Sequence, residues 1–214
     1  MALKVLKQES KIEMSQISNE IPDATDSSGY AIKIILIGDG GCGKTSLVNQ
    51  FVHRQFSSIY KTTIGVDITP YTVSIKETGE PVRFILWDMS GQSHFEKFRK
   101  RFYVGSSGAL VLYDLTNARS YLNVPTWVKE AHSNCKDIPI VAVGNKSDLV
   151  DLKIPQTKSP IDDMSLVITS AKDNKNVDEA FFTLFEMIIK KPIERIRDET
   201  AETKHISYEN KEET

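Results

Sequence analysis

Cysteine is nearly absent: Cys42 and Cys135 are the only two in 214 residues. Thiols so distant in sequence build no disulfide framework, and neither sits at metal-ligand spacing, so the pair reads as reduced thiols of a cytosolic-type compartment. Long apolar runs are missing too. Nothing approaches the roughly 18 consecutive apolar residues of a bilayer-spanning helix. An excess of charge of either sign is also lacking: 27 Lys and Arg face 29 Asp and Glu, a formal net charge of -2, which gives no electrostatic reason to expect a nucleic-acid surface. Ala2 rather than Gly follows Met1, which removes the signal for N-myristoylation. At 40% hydrophobic and 26% charged residues, the sequence suits one globular domain with a full core plus some tail.

The stretch Gly38-Asp39-Gly40-Gly41-Cys42-Gly43-Lys44-Thr45 fits G-x-x-x-x-G-K-[ST], a loop that wraps nucleotide phosphates. Backbone N–H groups can converge on phosphate oxygens only through unusual dihedrals and close approach, and four glycines between positions 38 and 43 permit both. Lys44 would reach the β and γ phosphates, and the Thr45 hydroxyl would ligate a bridging Mg²⁺. A glycine-rich surface turn is the plain alternative, and context argues against it. Ile32, Ile34, Ile35, Leu36 and Ile37 ahead of the loop read as a strand buried on both faces. Leu47, Val48, Phe51 and Val52 recur behind it at helical spacing, so the loop opens a helix whose positive end faces the phosphates, with Ser46 in its first turn.

Residues 1–29 are polar and lack the apolar core of a secretory signal, so they read as a flexible N-terminal extension. Met14, Ile17 and Ile21 could instead line a short membrane-lying helix, although Lys7 and Ser10 break that stripe. After the first helix, Ser57 to Gly65 reads as a loop; Tyr71, Val73 and Ile75, then Val82, Phe84 and Leu86, alternate around Glu77-Thr78-Gly79-Glu80 as a hairpin. Asp88 leaves the second hairpin strand, where a carboxylate beside a phosphate loop can hold the Mg²⁺ site from its other side.

The phosphate loop, Thr63 and Asp88-Met89-Ser90-Gly91-Gln92, in this order and spacing, resemble the Ras superfamily of small GTPases over about residues 30–195. The resemblance implies that Thr63 closes on Mg²⁺ and the γ-phosphate, that Gly91 gives its N–H to the γ-phosphate, and that Gln92 orients the attacking water. It also makes Phe56 the ring against the guanine and Tyr60 the ring over the phosphates, whereas composition alone would make Phe56 a core anchor. Gly40 leaves space for Gln92 and for an arginine brought by a partner. Met89, Ser90 and Ser93 depart from the family pattern of Thr-Ala before Gly-Gln and an acid after it. Little covalent chemistry is needed for phosphoryl transfer, so Lys44, Mg²⁺ and backbone donors supply rate by positioning and by neutralising charge.

Two further apolar strands, Gly108 to Asp114 and Ile138 to Val143, flank a helical stretch from Tyr121 to Asn134, an alternation that predicts a parallel sheet. Asn145-Lys146-Ser147-Asp148 follows. A carboxylate at Asp148 accepts from guanine N1–H and the exocyclic amine, whereas the N1 lone pair of adenine would repel it. Leu166, Val167 and Ile168 make the last strand, and Ser170-Ala171-Lys172 resembles the family's third base-contacting loop, reaching the guanine oxygen through backbone N–H. Val177, Ala180, Phe181, Leu184, Phe185 and Ile188 form an amphipathic helix. Between Asp148 and Ser170 no helical stripe appears, and an irregular segment is expected where the family carries a full helix.

Together these features predict an α/β P-loop NTPase fold of the G-domain type: a six-stranded, mostly parallel sheet with helices on both faces over residues 30–195, then a flexible charged tail over 196–214. The nucleotide-contacting set is Gly40, Gly41, Cys42, Gly43, Lys44, Thr45, Ser46, Phe56, Tyr60, Thr63, Gly91, Asn145, Lys146, Asp148, Ser170, Ala171 and Lys172. Thr45, Thr63 and Asp88 would hold Mg²⁺, and Gln92, Lys44 and Thr63 would act in hydrolysis of GTP to GDP. An exchange factor, an activating protein and effectors are expected on the loops 57–67 and 88–102. Ile64-Gly65-Val66-Asp67, Leu112-Tyr113-Asp114-Leu115-Thr116 and the run from Ser170 to Val177 resemble Rab proteins, with a role in vesicle transport or signalling. Gly38 to Lys44, Pro70, Asn123-Val124-Pro125-Thr126-Trp127 and Cys135 to Val141 lean toward Ran. Lys190 to Thr214 carries no cysteine for a prenyl anchor, so a cytoplasmic protein that meets membranes only through partners is expected. A Ran-like non-lipidated transport GTPase, a nucleotide-bound scaffold with little hydrolysis, and an ATP-using enzyme stay open as alternatives.

Overall fold

In this computed structural model the described residues are 17–18, 31–59, 61–75, 81–135, 137–151 and 155–188. Strand β2 (Ala31–Gly38) lies at the centre of the sheet, and its apolar run explains why. Ile34 and Leu36 point to one face and Ile35 and Ile37 to the other, all fully buried. A strand apolar on both sides is stable only with layers above and below. Two-faced burial recurs in β5 (Gly108–Asp114) and β6 (Ile140–Asn145). The hairpin of β3 (Val66–Ile75) and β4 (Pro81–Met89) is antiparallel, and β4 then runs parallel to β2. With β7 (Leu166–Ile168) the order is β3-β4-β2-β5-β6-β7, parallel from β4 onward. All six expected strands are present.

A seventh, two-residue strand, β1 (Ile17–Ser18), pairs antiparallel with the end of β3, Ile17 opposite Ile75 and Ser18 opposite Ser74. Those two residues are extended on a sheet edge rather than part of a flexible arm or a helical stripe with Met14 and Ile21. The rest of residues 1–30, the hairpin turn at 77–80, Tyr60 and the tail beyond 188 lie outside the described residues. Pro70 sits within β3, opposite Ile85. It belongs to the strand farthest out apart from β1, where a missing N–H is tolerated.

Helix α1 (Lys44–His53) and the helix over 177–188, α5, cover one face. Phe51 is the junction. Its ring stacks on Phe181 at 3.9 Å and 14°, while Phe84 of β4 stacks on Phe185 at 3.7 Å and 5°. The opposite face is covered by α4 (Val124–Asn134), which buries Val124, Trp127, Val128 and Ala131. The single helix expected over 121–134 is divided into α3 (Ala118–Leu122) and α4 at Asn123. Pro125 has no N–H for the Tyr121 carbonyl one turn back, so the first helix cannot continue through it. The Asn117 side chain caps α3 by accepting from Arg119 N–H at 3.1 Å.

The sixth strand runs to Asn145, two residues past the Val143 expected, because the parallel ladder holds through the pair Asp114 and Asn145. Between Ser147 and Leu166 the described residues contain only 3₁₀ turns, Ser147–Leu149 and Pro155–Thr157, in keeping with the missing helical stripe. Truncating the aromatic junction should be costly: Phe51→Ala is expected to lower the unfolding free energy by about 3–5 kcal/mol, read from denaturant melts.

Candidate functional site

The carboxyl ends of β2, β4, β5 and β6 lie side by side and open into a cleft of about 580 Å³. At its floor the phosphate loop turns through Gly41 and Gly43, with φ of 79° and 97°. Gly43 must also lack a Cβ because the Asn145 amide occupies that space. Lys44, 6% exposed, lies back across the loop and donates to the carbonyls of Gly38 at 2.8 Å and Asp39 at 2.9 Å. Beneath it Cys42 is buried, and burial pushes its thiol up, so the side chain acts as a small apolar filler. Leu47 N–H returns to the Gly43 carbonyl at 2.9 Å, so α1 begins at the loop and aims its first N–H groups into the cleft.

Three oxygen-bearing side chains meet beside Lys44. The hydroxyls of Thr45 and Thr63 are 2.9 Å apart, and Thr45 also donates to Asp88 Oδ2. Asp88 Oδ1 is buried and finds no hydrogen-bond partner among the described residues. Burial pushes this carboxyl up from its ordinary range, against the Thr45 hydrogen bond and the charge of Lys44. A buried carboxylate oxygen with no donor, flanked by two hydroxyls, suits a hard cation. Two hydroxyls and one carboxylate would leave the rest of an octahedral shell to phosphate and water, the arrangement that suits Mg²⁺. Mg²⁺ bound to Thr45, Thr63 and Asp88 would neutralise charge on the phosphate oxygens.

Gly91 lies directly on the phosphate loop: a Cβ there would collide with Gly38 O and Gly40 N. Gln92 follows, its Cγ 3.9 Å from where a Cβ on Gly40 would be, so its side chain lies over that glycine.

At the other end of the cleft, Asn145 is 1% exposed and bonds in three directions. Its Nδ2 donates to the Cys42 carbonyl at 3.1 Å, and its Oδ1 accepts from Thr169 Oγ1 and from Ala171 N–H, each at 3.1 Å. Of the backbone donors in the loop Ser170-Ala171-Lys172, that of Ala171 is therefore already engaged. Lys146, at φ 67°, turns its stem back and bonds Asp114 Oδ2 at 2.6 Å. Asp148 Oδ1 accepts from Ser170 Oγ at 2.7 Å, and Lys172 Nζ lies 3.9 Å from Oδ2. Phe56 is 41% exposed and lines the cleft with Lys146, Asp148 and Lys172, so it is not a core anchor.

The structure thus brings together on one cleft Gly40, Gly41, Gly43, Lys44, Thr45, Ser46, Phe56, Thr63, Gly91, Gln92, Asn145, Lys146, Asp148, Ala171 and Lys172. Cys42, Ser170 and Asp88 stand behind this lining, each bonded to it. Sequence reasoning missed what holds the loop in place. Asn123 Nδ2 and Trp127 Nε1 donate to the two carboxylate oxygens of Asp39, at 2.8 and 2.7 Å. Two side-chain donors four residues apart on one helical face were the available signal.

A model of the Ras family matches residues 33–190. The chain belongs to that family. Ras-related protein rab-11.1 of Caenorhabditis elegans is 36% identical over 171 residues, covering 77% of this chain and 80% of the relative. Ras-related protein YPTC6 of Chlamydomonas reinhardtii is 37% identical over 162 residues, 73% and 74% of the two chains. GTP-binding protein ypt2 of Schizosaccharomyces pombe is 33% identical over 193 residues, 87% and 96%. The likeness places this small GTPase on the Rab side, and a Ran-like or non-hydrolysing alternative is not favoured. As a member of the family it takes GTP and GDP with Mg²⁺ and hydrolyses GTP. No helix among the described residues is long and apolar enough to cross a membrane.

A cation held by this oxygen cluster would help to retain the nucleotide. Chelating Mg²⁺ should speed GDP release from the wild-type chain by about tenfold or more, and Asp88→Asn should release nearly as fast without chelator, as read from a fluorescent nucleotide.

Proposed function

We propose that this chain is a Rab-type switch of intracellular vesicle transport whose nucleotide cleft works through the residues assembled above. The observation that carries the reading is the carboxylate of Asp148, placed across one cleft from the glycine loop and Lys44. A carboxylate has about four lone-pair positions, so the bond from Ser170 leaves capacity for guanine N1–H and its exocyclic amine. Phe56 packs against the purine, and the stem of Lys146 supports it from the other side. Backbone N–H groups from Gly41 to Ser46 hold the phosphates, and Lys44 leaves the Gly38 and Asp39 carbonyls to meet the β and γ oxygens.

Thr63 and the Gly91 N–H recognise the γ-phosphate, which draws the loops 57–67 and 88–102 inward; hydrolysis releases them. Effectors, an exchange factor and a GTPase-activating protein bind those two loops. Gln92, above Gly40, orients the attacking water. Intrinsic hydrolysis is slow, because positioning alone does not neutralise the charge that develops, and an arginine from a partner adds about 10³–10⁵-fold in enzymes of this kind. The protein works in the cytoplasm and reaches membranes through bound partners.

Two measurements test this. Asp148→Ala should weaken GTP binding by about 100-fold or more and erase the preference for GTP over ATP in competition, because the base loses its paired acceptor. An unchanged preference would remove Asp148 from the mechanism. In single-turnover assays Gln92→Leu should hydrolyse bound GTP about tenfold or more slowly than the wild type, with nucleotide affinity little altered. Equal rates would instead support a scaffold that seldom turns over.

A further inference from the structure

A buried arginine behind the cleft is used by none of the chemistry above. Arg99 belongs to α2 (Glu96–Tyr103), is 5% exposed, and makes four hydrogen bonds from its three guanidinium nitrogens. Nε and Nη2 form a fork on the two oxygens of Glu130 in α4, at 2.9 and 3.1 Å. Nη1 donates to the main-chain carbonyls of Ser90 and Gln92, both at 3.2 Å. Tyr103 steadies the acceptor by donating to Glu130 Oε1 at 3.0 Å.

The guanidinium also lies over the Trp127 ring, 4.4 Å from its centre. That indole holds Asp39 of the phosphate loop through Nε1. Helix α4 therefore grips the phosphate loop with one side chain and, through Arg99, the two carbonyls that bracket Gly91. Because Gln92 is fixed by its own carbonyl and its side chain lies over Gly40, its position relative to the loop is set from α4.

We infer that Arg99 is a positioning residue for hydrolysis: with Glu130 and Trp127 it holds the main chain at Ser90 and Gln92 in the register that brings the Gln92 side chain over the phosphate loop. This rests on the reading of Gln92 as the group that orients water. A lysine cannot replace it, since one ammonium cannot fork a carboxylate, reach two carbonyls and stack on an indole together. Arg99 itself bonds only Glu130 and the main chain at Ser90 and Gln92, and no residue of the base loops, so the effect is expected on turnover rather than on binding.

The experiment uses the full chain loaded with GTP and Mg²⁺, and measures single-turnover hydrolysis beside nucleotide affinity. Arg99→Lys is expected to slow hydrolysis about tenfold while GTP and GDP affinities stay within about twofold. Glu130→Gln, which keeps the shape and one good acceptor, is expected to slow it about threefold, and it decides the matter if Arg99→Lys does not fold. In a Gln92→Leu background neither change should slow the reaction further, because the group being placed is gone. Wild-type hydrolysis in Glu130→Gln and Arg99→Lys overturns the proposal, as does an equal loss of affinity and turnover, which marks a merely structural contact. A further slowing in the Gln92→Leu background overturns it too. Should Gln92→Leu itself turn over at the wild-type rate, the fault lies with the role given to Gln92, a result distinguishable from failure of the clamp.

Discussion

One buried amide joins the two halves of the nucleotide cleft. Asn145 stands at the end of β6 and bonds the phosphate loop at Cys42 on one side and the base loop at Thr169 and Ala171 on the other. A buried polar group that loses its partner costs about 1–3 kcal/mol, and here three partners depend on a single side chain. The amide can do this only because the loop residue facing it, Gly43, has no side chain. Glycine at 43 and asparagine at 145 are thus one structural decision, made by two residues 102 positions apart.

Electrostatics supplies the second constraint. Asp88 is carried inward by the end of a fully paired strand, and burial raises its pKa while Thr45 and Lys44 only partly oppose the rise. A carboxyl whose pKa is raised on folding contributes stability below its unfolded value and loses it as pH climbs through the folded value. Its ionised form is therefore disfavoured in the folded chain, and a cation that coordinated it would offset that cost. The ammonium of Lys44 is satisfied by two carbonyls of the loop it serves. Phosphate oxygens can take over those donors without any change of fold.

Much of this was legible in the amino acids. Two-faced apolar runs specify β2, β5 and β6, alternation specifies the hairpin, and the motifs fall at strand ends, where a parallel sheet gathers its loops. What escaped was set by contacts between distant segments. Pro125 divides a helix whose apolar stripe reads as continuous, and β6 outruns its apolar stretch because pairing with Asp114 extends it. Asp39 looked like one more position of a phosphate loop; that it is held by Asn123 and Trp127 depends on how α4 crosses the sheet. Arg99 gave no sign, since an arginine in a strongly charged helix reads as surface. Its burial is decided by Glu130, 31 residues away.

The outer margin of the sheet carries its own safeguard. Strand β3 would present a row of unpaired amides and carbonyls, the kind of border along which proteins zip into fibres. Proline 70 interrupts that row by removing a donor, and the fragment at Ile17 and Ser18 occupies its far end. Neither feature lines the cleft. Together they shorten the stretch of β3 backbone open to a second strand among the described residues, the usual way a sheet edge is kept from pairing with another chain.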